Sequence, residues 1–220
     1  EEMYQYFSGV ASSLGIVPNR LYQTDSFVNP AYWNQGTYFW FADWFIGAPL
    51  NLSDLNIPSD LLRANGFTWD ADEADIAAAV NGGTFFFTHR NHGDLDGWSH
   101  PAFVNGNVDS LLTNGDLLPV LWSINCQTGW FDNETDEEGT STPSTDVNFT
   151  EHWERHTNGG AVGIIGATRV TYSGYNDRLA WGWMDSIWPG YISAWGTFDP
   201  IYTMGDVLNN GKVYFDTIYN

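Results

Sequence analysis

Basic residues are what this chain lacks most. Its 220 residues carry 27 acids against seven bases, a formal charge of −20, and Lys212 is the sole lysine. A surface of that sign repels the nucleic-acid backbone and anionic membranes alike, so neither is an expected partner. It suits solubility, or the attraction of cationic ligands or calcium. Long apolar runs are missing too. No stretch approaches the ~20 residues needed to cross a bilayer, so no membrane span is expected. Cysteine is almost absent: Cys126 is the single one. It has no internal disulfide partner, so its presence needs another reason. Aromatics, by contrast, are abundant, with 12 Trp, 11 Tyr and 14 Phe. That load excludes a disordered chain. Core packing accounts for any one ring, and some are expected to line a cleft.

The length suits a single domain over residues 1–220. Met3, Phe7, Val10, Ala11 and Leu14 fall at helical spacing and Gly15 closes them. Glu1-Glu2 opens straight into that pattern with no leader-like run, as a mature or trimmed piece of a longer precursor would. Asn19 to Thr24 reads as a short strand. Residues 25–67 are aromatic and punctuated by Gly and Pro without a sustained period. They are expected to be a long insertion, with a strand or short helix near Tyr38 to Ile46. Asp70 to Val80 reads as a helix, with acids in its first turn and Asn81-Gly82-Gly83 after it. Further helices are expected near Val108 to Thr113, over Phe149 to His156, along the stripe Leu179, Trp183 and Ile187, and from Met204 to Ile218, where Gly211 counts against the last. The acidic stretch from Asp132 to Asp146 reads as an exposed loop. Asn51, Asn133 and Asn148 begin glycosylation sequons, triplets that also arise by chance.

Three apolar runs sit between these helices. One is Gly83 to Thr88, one is Leu117 to Ile124, and one is Ala161 to Thr168. Continuous apolar strands alternating with helices predict an α/β fold with a mainly parallel sheet, helices on both faces, and ligands at the carboxyl ends of the strands. The first run leads into Asn91-His92-Gly93-Asp94 and the second into Asn125-Cys126-Gln127. A histidine and a lone cysteine delivered by two such strands suit thiol nucleophilic catalysis. The plainer reading of Cys126 is a small buried hydrophobe. Its place at a strand end, 34 residues after a His-Gly pair, favours the nucleophile. His89 is a rival to His92, and the adjacent glycine favours His92. His152 and His156 share a helix face and could hold a metal. Trp153, however, stands where the zinc-protease signature has Glu, so a helix surface explains the pair better. His100 reads as a loop residue. Asp132, Glu134, Asp136, Glu137 and Glu138 could hold calcium, but their spacing lacks the central Gly and terminal Glu of the helix–loop–helix site. A solvated loop is the better reading.

Taken in order, these blocks resemble the gingipain family of the caspase-like clan of cysteine peptidases. The resemblance rests on Asn81-Gly82-Gly83, His92-Gly93, Trp98, Leu111-Leu112-Thr113-Asn114, Asn125-Cys126-Gln127-Thr128-Gly129, Phe149 to Arg155, and Gly160 to Arg169. Two departures stand out: His89-Arg90-Asn91 replaces a Tyr-Thr-Gly-like lead, and residues 25–67 have no counterpart. The family's first strand, with the acid that orients the histidine, should precede the first helix. Here the expectation is that it has been cut off, comes from a second chain or a prodomain, or is replaced by the insertion.

The resemblance implies a caspase-like α/β/α sandwich and a cysteine endopeptidase working through an acyl-enzyme. Cys126 would be the nucleophile and His92 the general acid/base, with the N–H groups of Gly93 and Cys126 as oxyanion donors. A free thiol has a pKa near ~8.5, so such a site must help its cysteine ionise. Thr168 and Tyr172, from the segment Thr168 to Tyr172, would form one wall of the substrate pocket and Trp130 part of another. A preference for Arg or Lys would need a carboxylate, from Asp94, Asp96 or Asp132, and Arg169 would oppose it. No cofactor is needed for the chemistry, structural calcium is expected, the substrate is a protein or peptide, and the place of action is extracellular or the cell surface. The competing readings are a sortase-like transpeptidase of the same family, a secreted glycan-binding module without catalysis, and a glycosidase built on paired carboxylates.

Overall fold

The computed structural model describes residues 1–31, 56–132, 147–193, 195 and 199–219. The element expected near residues 38–46, the sequons at Asn51 and Asn133 and most of the acidic loop lie outside these. The described strands are β1 (Phe86–Arg90), β2 (His92–Asp94), β3 (Gly97–Ser99), β4 (Phe103–Val104), β5 (Val120–Ile124) and β6 (Gly163–Gly166). The helices that bear on the core are α1 (Glu2–Ser8), α2 (Glu73–Asn81), α3 (Asn105–Leu111), α4 (Phe149–Arg155), α5 (Ser173–Ile187) and α6 (Met204–Tyr219).

The three apolar runs pair as a parallel sheet in the order β1-β5-β6. Side chains alternate across a strand, and here both faces are apolar, which is why the runs read as continuous. Phe87, Leu121 and Ile164 face a core built with Ile76 and Val80 of α2, Val108 of α3, and Phe149 and Trp153 of α4. Phe86, Trp122, Ile124 and Ile165 face the other core, with Phe7 of α1, Ala180, Trp183 and Met184 of α5, and Val207 of α6. The result is the expected α/β/α sandwich. Full burial of each large apolar side chain contributes roughly 1.5–3 kcal/mol, so these two layers dominate stability.

Caps explain where two helices begin. Asp72 accepts hydrogen bonds from the N–H groups of Ala74 (2.9 Å) and Asp75 (3.1 Å), and the Asp75 carboxylate accepts from the Asp72 N–H (3.2 Å). This reciprocal box starts α2 at Glu73 rather than Asp70. Asn148 caps α4 through the Glu151 N–H at 3.1 Å. Its side chain is therefore a buried structural cap and not an open glycan acceptor.

Three expectations are corrected, and one feature went unforeseen: after β1, the strands β2, β3 and β4 form a small antiparallel sheet, with His100, expected in a loop, in the turn between β3 and β4. Around residues 19–24 there is no strand but a single bridge, Gln23 to Asp70. The third apolar run is ordered as strand only over Gly163–Gly166. Gly211, which argued against the last helix, sits inside it for a packing reason. A Cβ at Gly182 would lie 2.7 Å from the Gly211 Cα, and a Cβ at Gly211 would collide with the Trp183 ring. Two glycines let α5 and α6 cross with backbones nearly touching, which offsets the roughly 1 kcal/mol that glycine costs inside a helix.

Candidate active site

Strands β1 and β5 pair from Phe86 with Val120 to Arg90 with Ile124. Past these paired residues the two chains continue into the segments that hold His92 and Cys126, at the carboxyl edge of the sheet. Asn91 makes the bend out of β1. Its side chain accepts from the His92 N–H (2.9 Å) and donates to the His100 carbonyl (2.9 Å). The chain then runs against the end of β5: a Cβ on Gly93 would stand 2.7 Å from Asn125 Oδ1 and 2.9 Å from the Cys126 carbonyl oxygen. Only glycine allows that approach.

Past Ile124 the chain reverses sharply. Gln127 adopts φ 57°, and the Thr128 N–H donates to the Cys126 carbonyl at 2.7 Å. Gln127 N–H to Arg169 O (3.2 Å) and Gly129 N–H to Ala167 O (2.9 Å) tie this turn to the segment after β6. Cys126 thus rides on a turn tip at the sheet edge. His92 is exposed and Cys126 half-buried, so both groups reach solvent there. Among the described residues no hydrogen bond takes up the Cys126 N–H. The sulfur lies against Thr171, whose N–H donates to it at 3.4 Å and whose carbonyl accepts from the thiol at 3.4 Å.

Behind the turn lies a buried polar network. Trp98 Nε1 donates to Ser123 Oγ (2.8 Å), and the hydroxyls of Ser123 (3.0 Å) and Thr128 (2.9 Å) meet Asn125 Oδ1. That fixes the Asn125 amide nitrogen toward His89 Nδ1, at 2.9 Å. His89 therefore accepts at Nδ1 and carries its proton on Nε2. It stacks on Trp98 with ring centroids 4.3 Å apart and 6% of its surface exposed. The rival to His92 is thus a scaffold residue enclosed behind the site.

Burial, and then the neighbouring Arg90 charge, push the His89 pKa down from 6.5 to about 3. Between those values the unfolded chain binds a proton that the folded chain refuses. Stability from this group is full above pH 6.5 and is lost as pH falls toward 3. Urea unfolding is expected to lose on the order of 1.4 kcal/mol per pH unit below 6.5 through this residue alone. His89→Gln should flatten the slope by one proton. An unchanged slope would show that His89 titrates normally.

The residues expected to line the pocket fare differently. Thr168 and Tyr172 are exposed near the site. Asp94 is exposed on β2, and Asp96 is exposed two residues on. Trp130 is buried, with the Arg169 guanidinium 4.8 Å from its ring centroid, so it is a floor under Arg169 rather than an open wall. Arg169 in turn makes two bonds to the Asp132 carboxylate, at 3.1 and 3.0 Å. That pair removes Asp132 as a ready acceptor for a basic substrate side chain and also occupies Arg169. His152 and His156 turn toward the Asp109 carboxylate of α3, at 2.9 and 3.8 Å. No group of three or more side chains fit to hold a metal gathers among the described residues. Of the acidic run proposed for calcium only Asp132 is described, and both its oxygens face Arg169. A groove of about 750 Å³ abuts the β3–β4 turn through His100 and is lined also by Asp25, Arg63, Phe67, Trp69 and Asp70.

Sequence reading placed Thr171 only within a pocket-wall segment and missed the Ser123–Asn125–Thr128 network. One signal was available. Ser123 and Asn125 are polar side chains at the end of an apolar run, where burial requires partners.

Two solved structures resemble this fold. One is the Arg-specific cysteine proteinase gingipain R (RgpB), with TM-score 0.55 and 24% identity over 68% of this chain and 32% of that one. Another is the complex of Porphyromonas gingivalis RgpB pro- and mature domains, with TM-score 0.54 and 22% identity over 73% of this chain and 37% of that one. The chain thus spans about a third of the length of these structures. A comparison with curated proteins returned no match. The family model of peptidase family C25 matches residues 18–219. With nearly its whole length matched to that model, and with the same sandwich, the chain belongs to peptidase family C25, the gingipain family.

Proposed function

We propose that this protein is a cysteine endopeptidase in which Cys126 attacks the scissile carbonyl and His92 handles the proton. The observation that supports this reading is that β1 and β5 are parallel neighbours leading at one end to His92 and Cys126, and that Gly93, next to His92, is packed against the cysteine's own backbone. The thiolate sulfur forms a bond to the carbonyl carbon, and the negative oxygen is met by the N–H groups of Cys126 and Gly93. As the C–N bond breaks, His92 gives its proton to the leaving amine. The thioester on Cys126 is then hydrolysed by water, with His92 accepting the water's proton.

Thr168 and Tyr172 are proposed to border the substrate, and Asp94 is the exposed acid beside His92 left to meet a basic side chain. The chemistry needs no metal or organic cofactor, and calcium is proposed only as a structural ion. A prodomain is the proposed partner, supported by likeness to a structure that pairs pro- and mature domains. Secretion to the medium or cell surface is proposed with it. No described helix is long and apolar enough to cross a membrane.

The test is mixed peptides with and without prior iodoacetamide. Cleavage is expected, and it should fall in step with labelling of Cys126. Cleavage that survives complete labelling would refute the thiol mechanism. An added amine separates the second reading: ligated product exceeding hydrolysis would make the protein a transpeptidase, since amine and water compete for the same thioester.

A further inference from the structure

Cys126 is held from one side by a residue with no part in the His92 chemistry. Thr171 presents both polar groups of its main chain to the sulfur at 3.4 Å, with its hydroxyl at 3.8 Å. That hydroxyl donates to the Asn125 carbonyl at 3.0 Å, on the residue just before the nucleophile. It accepts from Asn176 Nδ2 at 2.7 Å, near the start of α5. The Asn176 amide can only donate there, so the threonine proton is left for Asn125 or the sulfur. Thr171 therefore grips the nucleophile twice, at the sulfur and at the preceding peptide, and is itself keyed to a helix. Asn176 is 9% exposed, so the key is a buried one. Exposed neighbours at 170 and 172 flank this inward-facing residue.

We infer that Thr171, locked by Asn176, is a positioning residue that fixes the direction in which the Cys126 sulfur points. The inference rests on Cys126 being the nucleophile. A sulfur free to rotate about its Cα–Cβ bond would spend only part of its time aimed at a bound substrate. Misplacement by a fraction of a bond length lowers the rate without weakening substrate binding. Thr171 does this through a hydroxyl as well as a peptide group, so removing the hydroxyl releases its grip on Asn125 and Asn176 and leaves the two main-chain contacts to the sulfur.

The experiment compares Thr171→Val, Thr171→Ser and Asn176→Ala with the parent. Thr171→Val is expected to lower kcat about tenfold with KM within about twofold, and to slow iodoacetamide labelling of Cys126 in proportion. Thr171→Ser should restore both, and Asn176→Ala should move both in the same direction by less. Parental kcat and labelling in Thr171→Val would overturn the inference. So would a lowered melting temperature with unchanged kcat per folded molecule, which is what a merely structural threonine gives. If Thr171→Val fails to fold, Asn176→Ala and Thr171→Ser carry the same comparison. Labelling is read on the protein's one cysteine without any peptide. Slowed labelling in a protein that cuts nothing would thus leave Thr171 a positioning residue and refute the peptidase reading alone.

Discussion

Cys126→Ala is expected to leave no measurable peptide cleavage, a loss on the order of 10⁴-fold or more, while the protein stays folded. The expectation of intact folding is specific. The sulfur is half-buried and, among the described residues, its bonds run to Thr171. Removing it forfeits weak hydrogen bonds worth about 1 kcal/mol, far less than the two core layers supply. No other thiol can substitute, because there is none. His92→Ala should lose about 10²–10⁴-fold in kcat/KM, since a positioned acid/base group supplies that much. Its effect should be largest for substrates with poor leaving amines, because the proton goes to the departing nitrogen. Kinetics on a good and a poor leaving group, with circular dichroism on each variant, check both statements. The glycan-binding reading makes the opposite forecast, because its aromatic surface would be indifferent to the sulfur. Parental turnover in Cys126→Ala would end the thiol mechanism.

Much of this arrangement was legible because sheets punish ambiguity. Leu117 to Ile124 and Gly83 to Thr88 are apolar on both faces, and a run of that kind fits only a covered strand. A sheet of parallel strands then puts whatever follows each of them at one edge, so the segments after the first two runs could be assigned to one end of the sheet on spacing alone. Helix ends were legible where a side chain makes the cap. Asn148 and Asp72 do so, although the sequence alone did not say which of Asp70, Asp72 or Asp75 would win. What stayed hidden depends on partners distant in the chain. The glycine inside α6 reads as a fault until Gly182 and Trp183 are laid against it. Asp132 and Arg169, 37 residues apart, looked like a pocket acid and a misplaced base, yet they are each other's partners. The β2–β4 sheet escaped notice because its strands are two or three residues long, too short to show a period. His89 and His92 were hard to rank by type, and burial separates them: one is stacked on Trp98 and the other is exposed.

The same contact that brings the two strand ends together gives the second large effect. Gly93→Ala places a methyl group 2.7 Å from Asn125 Oδ1, 2.8 Å from its Cγ and 2.9 Å from the Cys126 carbonyl oxygen. None of these can yield cheaply. Asn125 is 2% exposed and holds together Ser123, Thr128 and His89, so moving it breaks several buried hydrogen bonds at once. The Cys126 carbonyl is fixed by the Thr128 N–H at 2.7 Å. The strain must therefore be relieved by pushing β2 away, and His92 moves with it. Overpacking of this kind costs roughly 1–3 kcal/mol in stability. A shift near 1 Å between nucleophile and acid/base group costs about 10²-fold in kcat/KM. Gly106→Ala is the matched control: it lies in α3, is exposed, and would meet nothing within 4 Å. That variant should gain up to about 1 kcal/mol, because alanine favours a helix over glycine, with catalysis unchanged. Urea unfolding and steady-state kinetics on the two variants decide the matter. If Gly93→Ala matched Gly106→Ala in both, the His-Gly segment would not be seated on the cysteine turn, and the shared sheet edge would have to be redrawn.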